Sequence, residues 1–338
     1  MDTRSAPRSR RSLLAGGAGL AAVALAACTG TAPTASVSPG PTGGPSTPAP
    51  EPPPEGPRFD LAGAARPGLH GLALHESRRA MQGIAYDVAN GRLFIAQQRD
   101  GRPGADLCVN QVSRTGKVVA HLHIDDAGHG QSFGVEPVGP VSYLWLECDA
   151  DENTDAGRGT ALARFAFTPG RRPEPRKFFA DGVEVGCAID PVNRRLLIRR
   201  PEDQRTMFTL FDLVDGEPGR VRARFAEPKS IYPGSTARVL QAFTVLGRHA
   251  YTFVGTGGHA GTPADPFDSV LSTIDVTTGE LVQQKVVTAG RSLVFREPEG
   301  LAVDVTGGAP RLVFGLASRP RPGSPRRLAN LFAVDALA

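Results

Sequence analysis

Met81 to Gln98 reads MQGIAYDVANGRLFIAQQ. Two short apolar runs flank Asp87 and an Asn90-Gly91 pair. Asn-Gly accepts the positive φ that a tight hairpin turn needs, so the stretch predicts two antiparallel strands. The pattern returns at Glu184 to Pro201 (EVGCAIDPVNRRLLIRRP) and at Glu297 to Ser318 (EPEGLAVDVTGGAPRLVFGLAS). Each copy has a glycine, a short apolar strand, an aspartate (Asp87, Asp190, Asp304), a turn, then Arg-Leu and a second apolar strand. Two copies are degenerate: Gln131 to Asp149 (QSFGVEPVGPVSYLWLECD) and Val239 to Gly257 (VLQAFTVLGRHAYTFVGTG).

The anchors Gly83, Gly134, Gly186, Phe243 and Gly300 are 51 to 57 residues apart. That period suits a propeller blade of four short strands. Between the copies lie further strand pairs. Leu107 to Ile124 (LCVNQVSRTGKVVAHLHI) turns at Arg114-Thr115-Gly116-Lys117, and Thr160 to Phe179, Met207 to Ala226 and Ser269 to Ala289 have the same shape. These supply third and fourth strands. The expectation is one all-β domain over 58–338, a five-bladed propeller of four antiparallel strands per blade. The fifth blade is one strand short at its C-terminal end. A strand from Arg58 to His75 would complete it, close the ring and leave no long exposed edge.

Residues 1–27 read as an export signal: Arg4, Arg8, Arg10 and Arg11, then a small apolar run from Leu13 to Ala27. Ser9-Arg10-Arg11-Ser12-Leu13-Leu14 resembles the twin-arginine motif, and Leu25-Ala26-Ala27-Cys28 resembles a bacterial lipobox with Cys28 as the lipidated residue. Residues 28–57 are rich in Pro, Thr and Ser and predict a disordered, extended tether. The expected location is extracytoplasmic, anchored to the bacterial cell membrane through the lipid. The signal contributes +3 of the formal net charge of +4. No Lys/Arg run with interleaved aromatics points to a nucleic-acid partner.

The runs MQGIAYDVANGRLFIAQ, GHGQSFGVEPVG (Gly128 to Gly139), YLWLECDA (Tyr143 to Ala150), GRGTALARFAF (Gly157 to Phe167) and REPEGLAV (Arg296 to Val303) resemble a β-propeller family. It includes bacterial proteins named teichoic acid biosynthesis protein C and phage receptor-binding proteins that recognise wall teichoic acid. The resemblance spans about residues 65 to 338. It implies a five-bladed propeller at the cell envelope, associated with anionic glycopolymers. The lipoprotein signal and tether depart from plain members of that family.

No Gly-x-Ser-x-Gly elbow, Walker loop, His-Glu-x-x-His or clustered Cys/His spacing is present. Cys108, Cys148 and Cys187 lie in apolar strand contexts and read as buried free thiols, with one disulfide left open by the compartment. Propeller ligands bind at one mouth of the central channel. The loops entering the inner strands carry Gln82, His129, Gln131, Glu136, Glu184, Arg296, Glu297 and Glu299, which form the candidate ligand-binding set. Their oxygens suit sugar hydroxyls or a Ca²⁺ ion, with Glu299 the metal ligand if any; equally, such groups satisfy backbone amides between blades. Glu299-Gly300 is similar to the metal-binding Glu-Gly of lactonase-type propellers. Tyr143 and Trp145 share a strand face and suit either sugar stacking or core packing. The acidic stretch from Asp149 to Gly159 reads as a solvated loop or a cation chelator.

Two function classes follow. One is a binding module for a wall glycopolymer or its synthesis machinery. The other is a metal-dependent hydrolase or lactonase using channel-mouth carboxylates. A scaffold for envelope proteins is a third.

Overall fold

The computed structural model describes residues 52–99, 106–151, 153, 157–234, 238–256 and 268–338. The predicted signal, Cys28 and most of the tether lie outside the described residues, as does part of the acidic stretch after Asp151.

Five four-stranded antiparallel sheets follow one another along the chain. The first blade is β2 (Met81–Asp87), β3 (Arg92–Gln98), β4 (Leu107–Val112) and β5 (Val118–Ile124). The second is β6 (Gly134–Val138), β7 (Val141–Ala150), β8 (Gly159–Ala166) and β9 (Arg176–Phe178). The third is β10 (Gly186–Asp190), β11 (Arg195–Glu202), β12 (Arg205–Val214) and β13 (Glu217–Ala226). The fourth is β14 (Val239–Leu246), β15 (His249–Gly255), β16 (Val270–Asp275) and β17 (Leu281–Val286). The fifth takes β18 (Val294–Asp304), β19 (Arg311–Arg319) and β20 (Leu328–Val334) from one end of the chain and β1 (Arg66–Pro67) from the other. The closing strand therefore lies inside the expected 58–75 segment. It is short, pairing Arg66 with Ala333 and Pro67 with Phe332. Bridges from Phe59 to Leu337 and from Leu72 to Ala329 extend the seam on either side. Among the described residues helix is confined to 3₁₀ turns, at Lys229–Ile231 and at Gly157, and no helix is long and apolar enough to cross a membrane.

Each blade is a sheet with two apolar faces, so burial happens between blades. Five apolar clusters result, one per blade-to-blade interface. Phe94 and Val109 meet Phe133 and Leu146 between the first and second blades. Trp145 meets Cys187 and Ile198 between the second and third. Phe208 meets Phe243 between the third and fourth. Phe253 meets Phe314 between the fourth and fifth, with Phe59 and Leu61 added from the N-terminal segment. Ile95 meets Val313 and Leu331 where the ring closes. Trp145, between the second and third blades, is fully buried and its Nε1–H donates to Glu136, so its role is core packing. Tyr143 carries the Arg164 guanidinium over its ring, 3.8 Å from the centroid.

The repeat landmarks have mechanical causes. The inner strands crowd the axis: a Cβ on Gly83 would stand 2.5 Å from the Gly130 carbonyl of the next blade. Gly300 adopts φ +82 with its α-carbon face against Gly83 and Ile84, a conformation and a closeness that only glycine accepts. The aspartates cap the first hairpin of their blades. Asp190 accepts from the backbone N–H groups of Val192 and Asn193 and from Asn193 Nδ2, then from Gly247 of the fourth blade at 2.7 Å. Asp87 does the same within its turn and reaches Ser142 of the second blade. The three cysteines are buried and free.

Candidate functional site

The inner strands β2, β6, β10, β14 and β18 enter the ring at one mouth of the channel, and a cavity of about 680 Å³ opens there. Every blade contributes to its wall: Gln82, Glu297 and Glu299 on one side, His129, Gln131 and Arg158 from the second blade, Glu184 and Arg199 from the third, and Arg238 and Gln241 from the fourth, with Tyr232 from the turn before it. Six of the eight residues expected at the mouth are thus brought together. The other two are not. Glu136 faces the second blade's own sheet, where it accepts from Trp145 and at 2.8 Å from Arg164 Nε. Arg296 turns away from Glu297 and Glu299, as strand alternation requires, and donates to the carbonyls of Ala289 and Val287 and to Ser269 Oγ. It ties the fifth blade to the fourth.

The second blade's entry loop forms the floor. Glu147, fully buried, accepts from Gly130 N at 2.7 Å and Gly159 N at 2.6 Å and pairs with Arg158 at 3.5 Å. One carboxylate therefore fixes both segments that carry His129, Gln131 and Arg158. From there the loop crosses the channel. Ser132 Oγ accepts from Phe243 N at 3.0 Å, and Gln131 Nε2 donates to the Leu240 carbonyl. Arg158 Nη1 holds the Gln131 carbonyl oxygen at 2.6 Å. Second and fourth blades are not neighbours in the ring, so these bonds bridge the axis.

The cationic wall is pre-paired. Glu227 accepts from Arg199 Nε at 2.5 Å and from the Tyr232 hydroxyl at 2.7 Å. Burial and Glu227 push the Tyr232 phenol up, so it keeps its proton to donate. Arg238 Nε donates to Asp268 at 2.9 Å. Glu184 makes no hydrogen bond or ion pair among the described residues. Opposite, Gln82 Nε2 donates to Glu299 Oε1 at 3.3 Å, while Gln82 Oε1 and Glu299 Oε2 are buried without a hydrogen-bond partner. Burial first, and Glu297 second, push the Glu299 carboxyl well above the usual carboxylate range. A protonated Glu299 both donates and accepts, which suits a hydroxyl ligand. The same oxygens suit a hard cation that displaces the proton.

Sequence reasoning found residues on or just before the inner strands and missed Arg158, Arg199, Tyr232, Arg238 and Gln241. Arg238 adjoins and Gln241 lies within the degenerate fourth copy, where Phe243 replaces the anchor glycine. Arg158 immediately precedes the third strand of its blade and Arg199 lies on the second strand of its own, and only the ring brings them to the mouth.

Two solved structures bear on the comparison. The tail fiber of Staphylococcus aureus phage P68 aligns with a TM-score of 0.61 and 16% identity over 81% of this chain and 53% of that one. The chain thus spans about half the length of that fiber, and the likeness is one of fold. A gluconolactonase from Xanthomonas campestris covers 88% of this chain and 99% of its own at 15% identity, but with a TM-score of 0.37. No curated protein matches significantly. Residues 80–322 match the phage five-bladed β-propeller receptor-binding platform domain, and the chain belongs to that family.

Proposed function

We propose that this is a cell-envelope lipoprotein whose propeller binds an anionic wall glycopolymer, of the teichoic acid kind, at the channel mouth. Lipid on Cys28 would hold it at the outer face of the membrane, with the Pro-rich segment as spacer. The observation that carries the reading is the five-blade cavity: amide, carboxylate, guanidinium and phenol groups converge in a volume that fits a few sugar units. The receptor-binding character of the family supports it. Arg158, Arg199 and Arg238 answer the polymer's phosphates; Glu184, Gln82 and Glu299 answer its hydroxyls.

Calorimetric titration of the full chain with purified wall glycopolymer tests this. Glu184→Ala removes a group with no structural bond, and loss of one charged hydrogen bond should weaken binding by about tenfold or more. Unchanged affinity in Glu184→Ala and Tyr232→Phe together would overturn the site. The unpartnered oxygens of Gln82 and Glu299 favour a second reading, in which Ca²⁺ sits between Gln82, Glu297 and Glu299 and serves a lactonase-type hydrolysis. Its mark is a Ca²⁺-dependent rise in melting temperature without polymer, lost in Glu299→Gln.

A further inference from the structure

On the outermost strand of the first blade, outside the lining of the channel mouth, three imidazoles meet. His121 and His123 alternate on β5 and so share a face. His75 comes from the strap that links β1 to β2. Its ring stacks on His121 with centroids 3.6 Å apart and lies 5.3 Å from His123. The ligating atoms of all three are within 4.8 Å of one another. Glu76, next along the strap, places Oε1 3.1 Å from His123 Nε2, and Cys108 Sγ also lies within 4.8 Å of that pair.

The strap is held in place by buried amides. Asn110 Oδ1 accepts from His75 N at 2.9 Å, and Gln97 Oε1 accepts from Glu76 N at 3.1 Å. Gln97 Nε2 returns bonds to the carbonyls of Glu76 and Arg79. Asn110 and Gln97 are themselves bonded to each other and are 0% and 1% exposed. The backbone carrying His75 and Glu76 is therefore fixed before any ligand arrives.

We propose that His75, His121 and His123 form a site for a borderline divalent cation of the Zn²⁺ class, with Glu76 as its carboxylate. A tetrahedral ion at about 2.0–2.1 Å from each nitrogen needs donors roughly 3.4 Å apart, which rotation of the three rings supplies. Glu76 completes the set either as fourth ligand or by orienting the His123 ring through its second nitrogen. The ion clips the strap to the outermost strand of the first blade. It is a structural site, independent of the channel mouth.

The test titrates metal-stripped full chain with Zn²⁺ against a chromogenic chelator, and follows melting. One ion per chain, a rise of several degrees reversed by chelator, and slowed hydrogen exchange over residues 72–80 are expected. His121→Ala/His123→Ala and, separately, the exposed His75→Ala should abolish all three, while Glu299→Gln keeps them. His75→Ala cannot unfold the blade, so its loss of binding is readable alone. Absence of a one-to-one Zn²⁺ complex, or binding that survives these substitutions, would overturn the proposal.

Discussion

Asp190 holds two blades at once, and that makes its removal calculable. Its carboxylate is fully buried and accepts four hydrogen bonds: Val192 N and Asn193 N at 2.9 Å, Asn193 Nδ2 at 2.8 Å and Gly247 N at 2.7 Å. In Asp190→Ala the turn donors are partly exposed and recover water, at a loss of about 0.5–1 kcal/mol each. The Gly247 N–H is buried and loses an ionic acceptor, a further ~1.5–3 kcal/mol. Together the loss is about 3–6 kcal/mol, which for a domain of this size lowers the melting temperature by roughly 10 °C or more. Asp190→Asn separates the parts. It keeps one acceptor for the turn but sets an amide NH₂ against the donors of Gly247 or Asn193, so about half the loss should remain. Calorimetry at neutral pH measures both. A fall under about 2 °C for Asp190→Ala, or wild-type melting for Asp190→Asn, would refute the idea that the repeated aspartate is a blade-to-blade staple.

Other outcomes follow from the same contacts. Burial and Glu297 raise the Glu299 carboxyl well above its unfolded value near 4.5, so in cation-free buffer its contribution to stability is lost as pH rises above that value. Glu299→Gln should therefore melt higher than wild type at pH 8 and equal it near pH 4; equal destabilisation at both would contradict this. Burial raises Asp275, but Arg248 and Thr277 outweigh it and hold the carboxyl at about 2. Its stabilisation is present above pH ~4 and disappears as pH falls toward 2, so urea titrations of Asp275→Asn should lack that part of the acid limb. Burial pushes the thiols of Cys108 and Cys148 up to about 12 and Cys187 higher still. A thiol reagent at pH 8 should leave all three unmodified until denaturant is added. Phe59→Ala empties a fully buried site between the fourth and fifth blades and should cost about 3–5 kcal/mol, read by urea unfolding.

The blades were legible because each is built locally. Strand, aspartate, turn and strand sit within twenty residues, and the Asn-Gly and Gly-Gly turns announce the hairpins. Ring closure was legible only as a deficit, one strand missing from the fifth blade. The site was half legible. Gln131 precedes an inner strand and Glu299 lies within one, beside an anchor glycine, so both could be placed by counting. Arg199 and Tyr232 could not, because they come to the mouth through the radial stacking of blades rather than through the chain. Arg296 misled for the opposite reason: it adjoins Glu297 in sequence, yet alternation sends it into the next interface. His121 and His123 carried a faint signal, two imidazoles on one strand face, but their partner His75 lies across the whole blade.

The fifth blade has a consequence for biosynthesis. Its sheet needs β1, translated near the beginning of the domain, and β20, translated near its end. Four blades can pair their own strands as they leave the ribosome, but the ring stays open until Leu328–Val334 has emerged. Until then the first blade's flank, Ile84, Ile95 and their neighbours, has no fifth blade to cover it. A nascent chain in that state exposes an apolar wall and must be shielded, so chaperone occupancy should persist through translation and end abruptly when β20 appears.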